Sequence, residues 1–230
     1  MFVSFFIPKV RGLMNNSKTL KKVCGIGVFA ALAYVTTCIC KLIPSVQGFL
    51  SLDAKDAIIA IASFVYGPLV APIISLVVAL IEFITISETG FWGLIMNFTA
   101  STVFSFTASF IYKYRKTYGG VIIGFCVAAV LTVTVMIGLN PLIVPLYSGA
   151  PREVVVSMIP TVLLPFNFAK TVMNSAIALL LYKPIINAMR SAKLLPKSEY
   201  KTTFNKTTIL TLIIGGVSLI LAFVILFKIW

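Results

Sequence analysis

The stretch Ala57-Ile58-Ile59-Ala60-Ile61-Ala62-Ser63-Phe64-Val65-Tyr66-Gly67-Pro68-Leu69-Val70-Ala71-Pro72-Ile73-Ile74-Ser75-Leu76-Val77-Val78-Ala79-Leu80-Ile81 carries no charge and decides the fold. A bilayer hydrocarbon core of about 30 Å needs roughly 20 apolar residues per helix, so by length the stretch makes one crossing. Gly67-Pro68 sits at its centre, however, and a Gly-Pro pair favours a turn between two segments.

Charge placement separates the two readings. The chain carries 19 basic and 6 acidic residues, a formal net charge of +13. Basic residues concentrate in cytoplasmic loops of membrane proteins. With a turn at Gly67-Pro68, three clusters fall on one side of the membrane. They are Lys9, Arg11, Lys18, Lys21 and Lys22; Lys113, Arg115 and Lys116; and Lys183, Arg190, Lys193, Lys197, Lys201 and Lys206. With a single span the second and third clusters would lie outside. Two segments are therefore expected, either two crossings or a re-entrant pair of the same parity.

The rest of the chain fits an all-α polytopic membrane protein. Hydrophobic residues make up 60% of the 230 residues and charged ones 11%, against about 25% charged in a soluble domain. Further uncharged runs cover 23–40, 89–112, 117–151, 154–182 interrupted by Lys170, and 207–227. The order expected is a first helix to Ile43, an outer loop from Pro44 to Lys55, a short second helix to Tyr66 and a third to Ser87. A fourth spans Phe91 to Tyr112, a fifth Gly120 to Leu139, and a sixth ends at Tyr182. Residues 1–22 read as a basic cytoplasmic segment, with Met1 to Val10 at most interfacial. Residues 23–183 form a six-helix membrane domain, 184–206 a basic cytoplasmic linker and 207–230 an extra seventh helix. Ala31-Leu32-Ala33 resembles a signal-peptidase site, but the apolar run continues to Cys40, which favours a retained helix. The protein is placed in the plasma membrane with its N-terminus cytoplasmic, the basic excess serving topology rather than nucleic-acid binding.

The chain has no histidine and no phosphate-binding G-x-x-x-x-G-K-[ST] loop. Nucleophile–base pairs using histidine are excluded, and Cys24, Cys38, Cys40 and Cys126 have no metal-site spacing. No metal or cofactor is expected. Asp53, Asp56, Glu82, Glu88, Glu153 and Glu199 all fall at or beyond predicted helix ends, with Glu82 expected to face water. No internal repeat suggests an inverted-repeat carrier, and no midmembrane carboxylate suggests ion coupling. Energy for any uptake must come from another chain.

Polar groups at membrane depth gather toward the outer side. Asn167, Lys170 and Asn174 share one helix face, and Lys170 either snorkels to the headgroups or faces a ligand. Asn140 opens an apolar stretch to Gly149, read as an outer loop that is either buried in the interface or the lid of a ligand site. Gln47 to Asp53, with Phe49, Leu50, Ser51 and Leu52, offers similar surface. Asn97 makes either an interhelical hydrogen bond or a ligand contact. Gly27, Ala30, Ala31 and Ala33 are small residues suited either to internal packing or to docking another membrane subunit.

Leu50-Ser51-Leu52-Asp53, Phe64-Val65-Tyr66-Gly67-Pro68, Asn140 with Pro145-Leu146-Tyr147, and Pro165-Phe166-Asn167-Phe168-Ala169-Lys170 together resemble the riboflavin-specific S components of energy-coupling factor (ECF) transporters. The likeness covers about residues 22–183. It implies a six-helix core that binds riboflavin near its outer face and docks on a membrane coupling subunit driven by two ATPases. It also implies flavin contacts from Asn140, Asn167 and Lys170, closure by Phe49 to Leu52, and docking through the first helix. The added C-terminal helix departs from the family pattern. Alternatives are the same fold with another vitamin or precursor, or a membrane enzyme or assembly factor.

Overall fold

The computed structural model describes residues 17–46, 50–195 and 206–229. The helices are α1 (Ser17–Cys40), α2 (Lys55–Tyr66), α3 (Val70–Thr85), α4 (Gly90–Tyr114), α5 (Tyr118–Ser148), α6 (Arg152–Ser157), α7 (Leu164–Ser191) and α8 (Lys206–Ile229). A π-helical turn, Ile159–Leu163, precedes α7. Among the described residues four segments are long and apolar enough to cross a membrane: Thr19–Cys40, Gly90–Tyr114, Gly119–Ser148 and Ile159–Ser191. The all-α architecture is as expected; among the described residues the only β-type pairing is one bridge, Val46 to Leu50.

Gly67-Pro68 makes the expected turn. Gly67 adopts φ 104°, a region closed to most residues with a Cβ, and its carbonyl accepts from the Val70 N–H. The reversal sends α2 and α3 back along each other. With 12 residues at about 1.5 Å rise per residue, α2 is too short for a bilayer. Its apolar residues go all round, so it can only be a buried helix; Lys55 through Ser63 are all buried. α3 is amphipathic in the membrane sense, with Ala71, Ile74, Ser75, Val78, Ala79 and Glu82 facing the protein and Leu69, Ile73 and Ile84 facing outward.

α1, α3, α4, α5 and α7 surround α2. At the end near the basic clusters, Phe64 of α2 packs edge-on against Tyr112 of α4, Phe125 of α5 and Tyr182 of α7 at centroid separations of 5.0, 5.5 and 6.4 Å. Such aromatic pairs add stabilisation beyond buried area. At the other end Val46, Leu50 and Leu52 of the α1–α2 loop join Val144, Val155, Leu163 and Phe166 in a second apolar cluster, which also takes Ala222 and Leu226 of α8. α8 is therefore packed along α7 rather than standing apart.

Three boundaries differ from expectation. The stretch Asn140–Gly149 is no loop: α5 continues through Pro141 and Pro145 to Ser148. Breaking the helix in an apolar setting would strand more backbone groups than the two prolines remove, and the Asn140 side chain covers the Met136 carbonyl at 2.6 Å. The helix expected to end at Tyr182 runs to Ser191 with Pro184 inside it. α1 starts at Ser17 and gives way to a turn after Cys40. Of the linker read over 184–206, residues 196–205 lie outside the described residues.

α4 and α5 approach most closely at Gly124, where a Cβ would stand 2.8 Å from the Ala108 carbonyl oxygen. Gly124→Val should lower stability by about 2 kcal/mol through overpacking, read as a fall in the thermal midpoint of the detergent-solubilised protein.

Candidate functional site

The cavity forms where α2 runs out. Because α2 fills only part of the depth of the bundle, space remains beyond Lys55 at the end opposite the basic clusters. All five longer core helices and the α1–α2 loop contribute to its walls. α1 supplies Thr37, the α1–α2 connection Lys41 and Leu50 to Asp53, the start of α2 Asp56, and α3 Glu82. α4 supplies Met96, Asn97 and Ala100, α5 Thr132, Met136, Asn140 and Tyr147, and α7 Phe166, Asn167, Lys170 and Thr171. Polar side chains outnumber apolar ones on these walls, and Leu50, Leu52, Met96, Met136 and Phe166 supply the apolar surface that the faces of a flat organic ligand need.

The charges of the site are buried and paired. Lys170 Nζ donates to Asp53 Oδ2 at 2.8 Å; its side chain is 13% exposed, so it faces the cavity and does not snorkel. Lys55 Nζ lies 2.9 Å from Glu82 Oε2 and 3.4 Å from the same Asp53 oxygen. Glu82 Oε1 accepts from Asn97 Nδ2 at 3.0 Å, and Asp56 accepts from Ser101. Burial pushes the Asp53 carboxyl up, but Lys170 and Lys55 outweigh it and hold the group at about 2.

This network corrects one expectation. Glu82 does not face water: it is buried and paired, because it continues the inward stripe Ala71, Ser75, Val78 of α3. Asp53 and Asp56 are likewise enclosed. A charge enters an apolar interior only with a partner, and Lys55, also buried, supplies it. The signals missed in the sequence were the helical period that carries Glu82 inward and the uniformly apolar character of α2, which buries its own first residues.

Asn167 donates through Nδ2 to the Leu163 carbonyl at 2.7 Å, within the π turn. That turn contains Pro160 and is followed by Pro165, and their missing N–H groups disturb the regular ladder. Asn140 Oδ1 and Thr132 Oγ1 are buried without a protein partner, as is Asp53 Oδ1, and all three residues line the cavity. Buried polar atoms are normally satisfied, so orphans on a cavity wall mark places for a ligand's polar atoms. Asn97 is both an interhelical hydrogen bond and a wall residue.

Asn174 is not a wall residue. Its Oδ1 accepts from the Ala57 N–H at 2.9 Å, and its Nδ2 donates to the Asp53 and Lys170 carbonyls at 2.9 and 3.0 Å. It caps α2, whose own N-cap residue Ala54 has no capping side chain. Leu50, Ser51 and Leu52 stand at the cavity as read from sequence; Phe49 lies outside the described residues. Ala30 and Ala33 are buried in the protein's own core, whereas Gly27 and Ala31 are exposed.

The family model for the substrate-specific component of ECF transporters matches residues 21–182. The chain belongs to this family. This S component is 29% identical to the riboflavin transporter RibU of Staphylococcus aureus (strain TCH60) over 76% of its own length and 95% of that protein. It is 25% identical to the riboflavin transporter FmnP of Bacillus subtilis (strain 168), over 75% and 97% respectively. A solved S component of a bacterial ECF transporter superposes with a TM-score of 0.63 at 30% identity, covering 74% of this chain and 98% of that one. The S component is thus a membrane-embedded transport subunit, and α8 lies beyond the matched segment.

Asn174→Ala should leave the Ala57 N–H and the Asp53 carbonyl unsatisfied and cost about 2 kcal/mol. Thermal unfolding of the purified variant measures it.

Proposed function

We propose that this S component captures riboflavin at the outer face of the plasma membrane for ATP-driven uptake, together with a membrane coupling subunit and two ATPases. The observation that carries the reading is the convergence of the Lys170 ammonium and the Asn140 and Asn167 amides on one cavity at the end of the bundle away from the basic clusters. The two curated relatives, both riboflavin transporters, support the choice of vitamin.

The chemistry matches. The pyrimidine edge of an isoalloxazine presents carbonyl and ring-nitrogen acceptors around a single N–H donor. Lys170 has three N–H donors and gives one to Asp53, leaving two for acceptors on the ring. Asn140 Oδ1, buried and unpartnered, is the complementary acceptor for the ring N–H. Leu50, Leu52, Met136 and Phe166 offer apolar surface to the ring faces. Phe49 is the aromatic residue that the family resemblance assigns to closure over a bound flavin. Thr132, Asn97 and Ser51 offer partners for the ribityl hydroxyls.

The basic clusters favour a cytoplasmic N-terminus under the positive-inside rule, which turns the cavity outward. Gly27 and Ala31, exposed on α1 four residues apart, suit close approach by a helix of the coupling subunit. Residues 23–183 would form the vitamin-binding domain, with 184–206 as a cytoplasmic connection to the extra helix.

Purified protein should carry a yellow chromophore, and stripped protein should bind riboflavin with quenching of Trp92, next to the wall residue Gly93. Lys170→Ala and Asn167→Ala should each weaken binding by about tenfold or more, the effect of one hydrogen bond to a charged or fixed group. Unchanged titrations in both variants would remove the site assignment.

A further inference from the structure

Lys55 is the one ammonium in the buried network that stands outside the cavity wall. Its side chain is 2% exposed and touches two carboxylates that are on the wall, Glu82 at 2.9 Å and Asp53 at 3.4 Å. Each of those carboxylates holds a further wall residue, Asn97 through Glu82 Oε1 and Lys170 through Asp53 Oδ2. Lys55 and Lys170 converge on the same Asp53 oxygen, while Asp53 Oδ1 is buried and unpartnered. Without Lys55, the whole Asp53 charge would fall on Lys170, and Glu82 would keep only the neutral Asn97 amide.

We propose that Lys55 is a positioning residue for ligand recognition: from behind the wall it neutralises Asp53 and Glu82, so that Lys170 and Asn97 are held in place yet keep donors and acceptors for the ligand. The inference rests on the flavin reading above. A lysine serving stability alone could pair with a single carboxylate anywhere in the core. This one bridges the α1–α2 loop to α3 and shares its partner with the cation that meets the ligand. The other charged groups nearby are Asp56, a wall residue bonded to Ser101, and Lys41 and Glu88, also on the cavity wall.

The test compares full-length wild type, Lys55→Met, Lys55→Arg, Lys55→Met with Glu82→Gln, and Lys170→Ala as a reference, all purified in detergent and titrated with riboflavin. Two readouts are taken: affinity by tryptophan quenching and the visible absorption bands of bound flavin, which respond to donors at the pyrimidine edge. Lys55→Met should weaken binding by about tenfold, the worth of one charge-assisted hydrogen bond. Its bound-flavin spectrum should move toward that of Lys170→Ala, because Asp53 then draws Lys170 away from the ring. Lys55→Arg, which keeps the charge, should hold the wild-type spectrum. The charge-balanced double variant keeps the experiment decisive where Lys55→Met does not fold, and it should show the same spectral movement. Wild-type affinity and an unshifted spectrum in the folded double variant would overturn the proposal. Failure of wild type to bind riboflavin would instead overturn the flavin reading itself.

Discussion

One carboxylate oxygen, Asp53 Oδ2, organises the half of the protein that holds the cavity. It receives Lys170 from α7 and Lys55 from the start of α2. In a medium with little water, Asp53 is the carboxylate that pairs with Lys170, Lys55 is shared between Asp53 and Glu82, and the burial of Asp53 is tolerable only with these cations beside it. The loop before α2, the rotation of α7 and the entry of α2 are therefore fixed together. Asn174 reinforces the arrangement by bonding the backbone at Asp53 and Ala57, so charge pairing and helix capping act on the same few residues.

The cavity follows from a length mismatch. A helix of 12 residues surrounded by longer helices leaves depth unfilled, and the chain fills the remainder with polar side chains from its neighbours instead of backbone. The half toward the basic clusters is closed by aromatic rings around Phe64, which need no partner beyond one another. The two ends thus have different chemistry: a packed apolar seat at one, a polar hollow with orphaned acceptors at the other. A subunit that selects a solute requires the second and can dock through the flanks of the first.

The C-terminal helix lies outside the segment matched by the family model, yet it is integrated by packing. Gly215 admits α8 close to Leu180 of α7, and Ala222 and Leu226 complete the apolar cluster beneath the outer loop. It backs the helix that carries Asn167 and Lys170. Close contact through small residues is how membrane helices associate when lipid is as apolar as the side chains themselves.

The sequence alone determined that the chain is an all-α membrane protein and that Gly67-Pro68 reverses it, and by resemblance it grouped Asn140, Asn167 and Lys170, which the structure brings to the walls of one cavity. These follow from composition, from the positive-inside rule and from residue types and motifs that resemble a known family. Sequence misread the Asn140–Gly149 segment as a loop, because proline lowers helix propensity locally while the cost of breaking a helix depends on the surrounding medium. It also misread Glu82, since a carboxylate near a helix end reads as solvated until its partner is known. That partner, Lys55, is 27 residues away, and Lys170 is 117 residues from Asp53. Pairing of buried charges is a property of proximity in space, so only the tertiary structure decided which charges meet, which amide caps α2 and which lysine stands behind the wall.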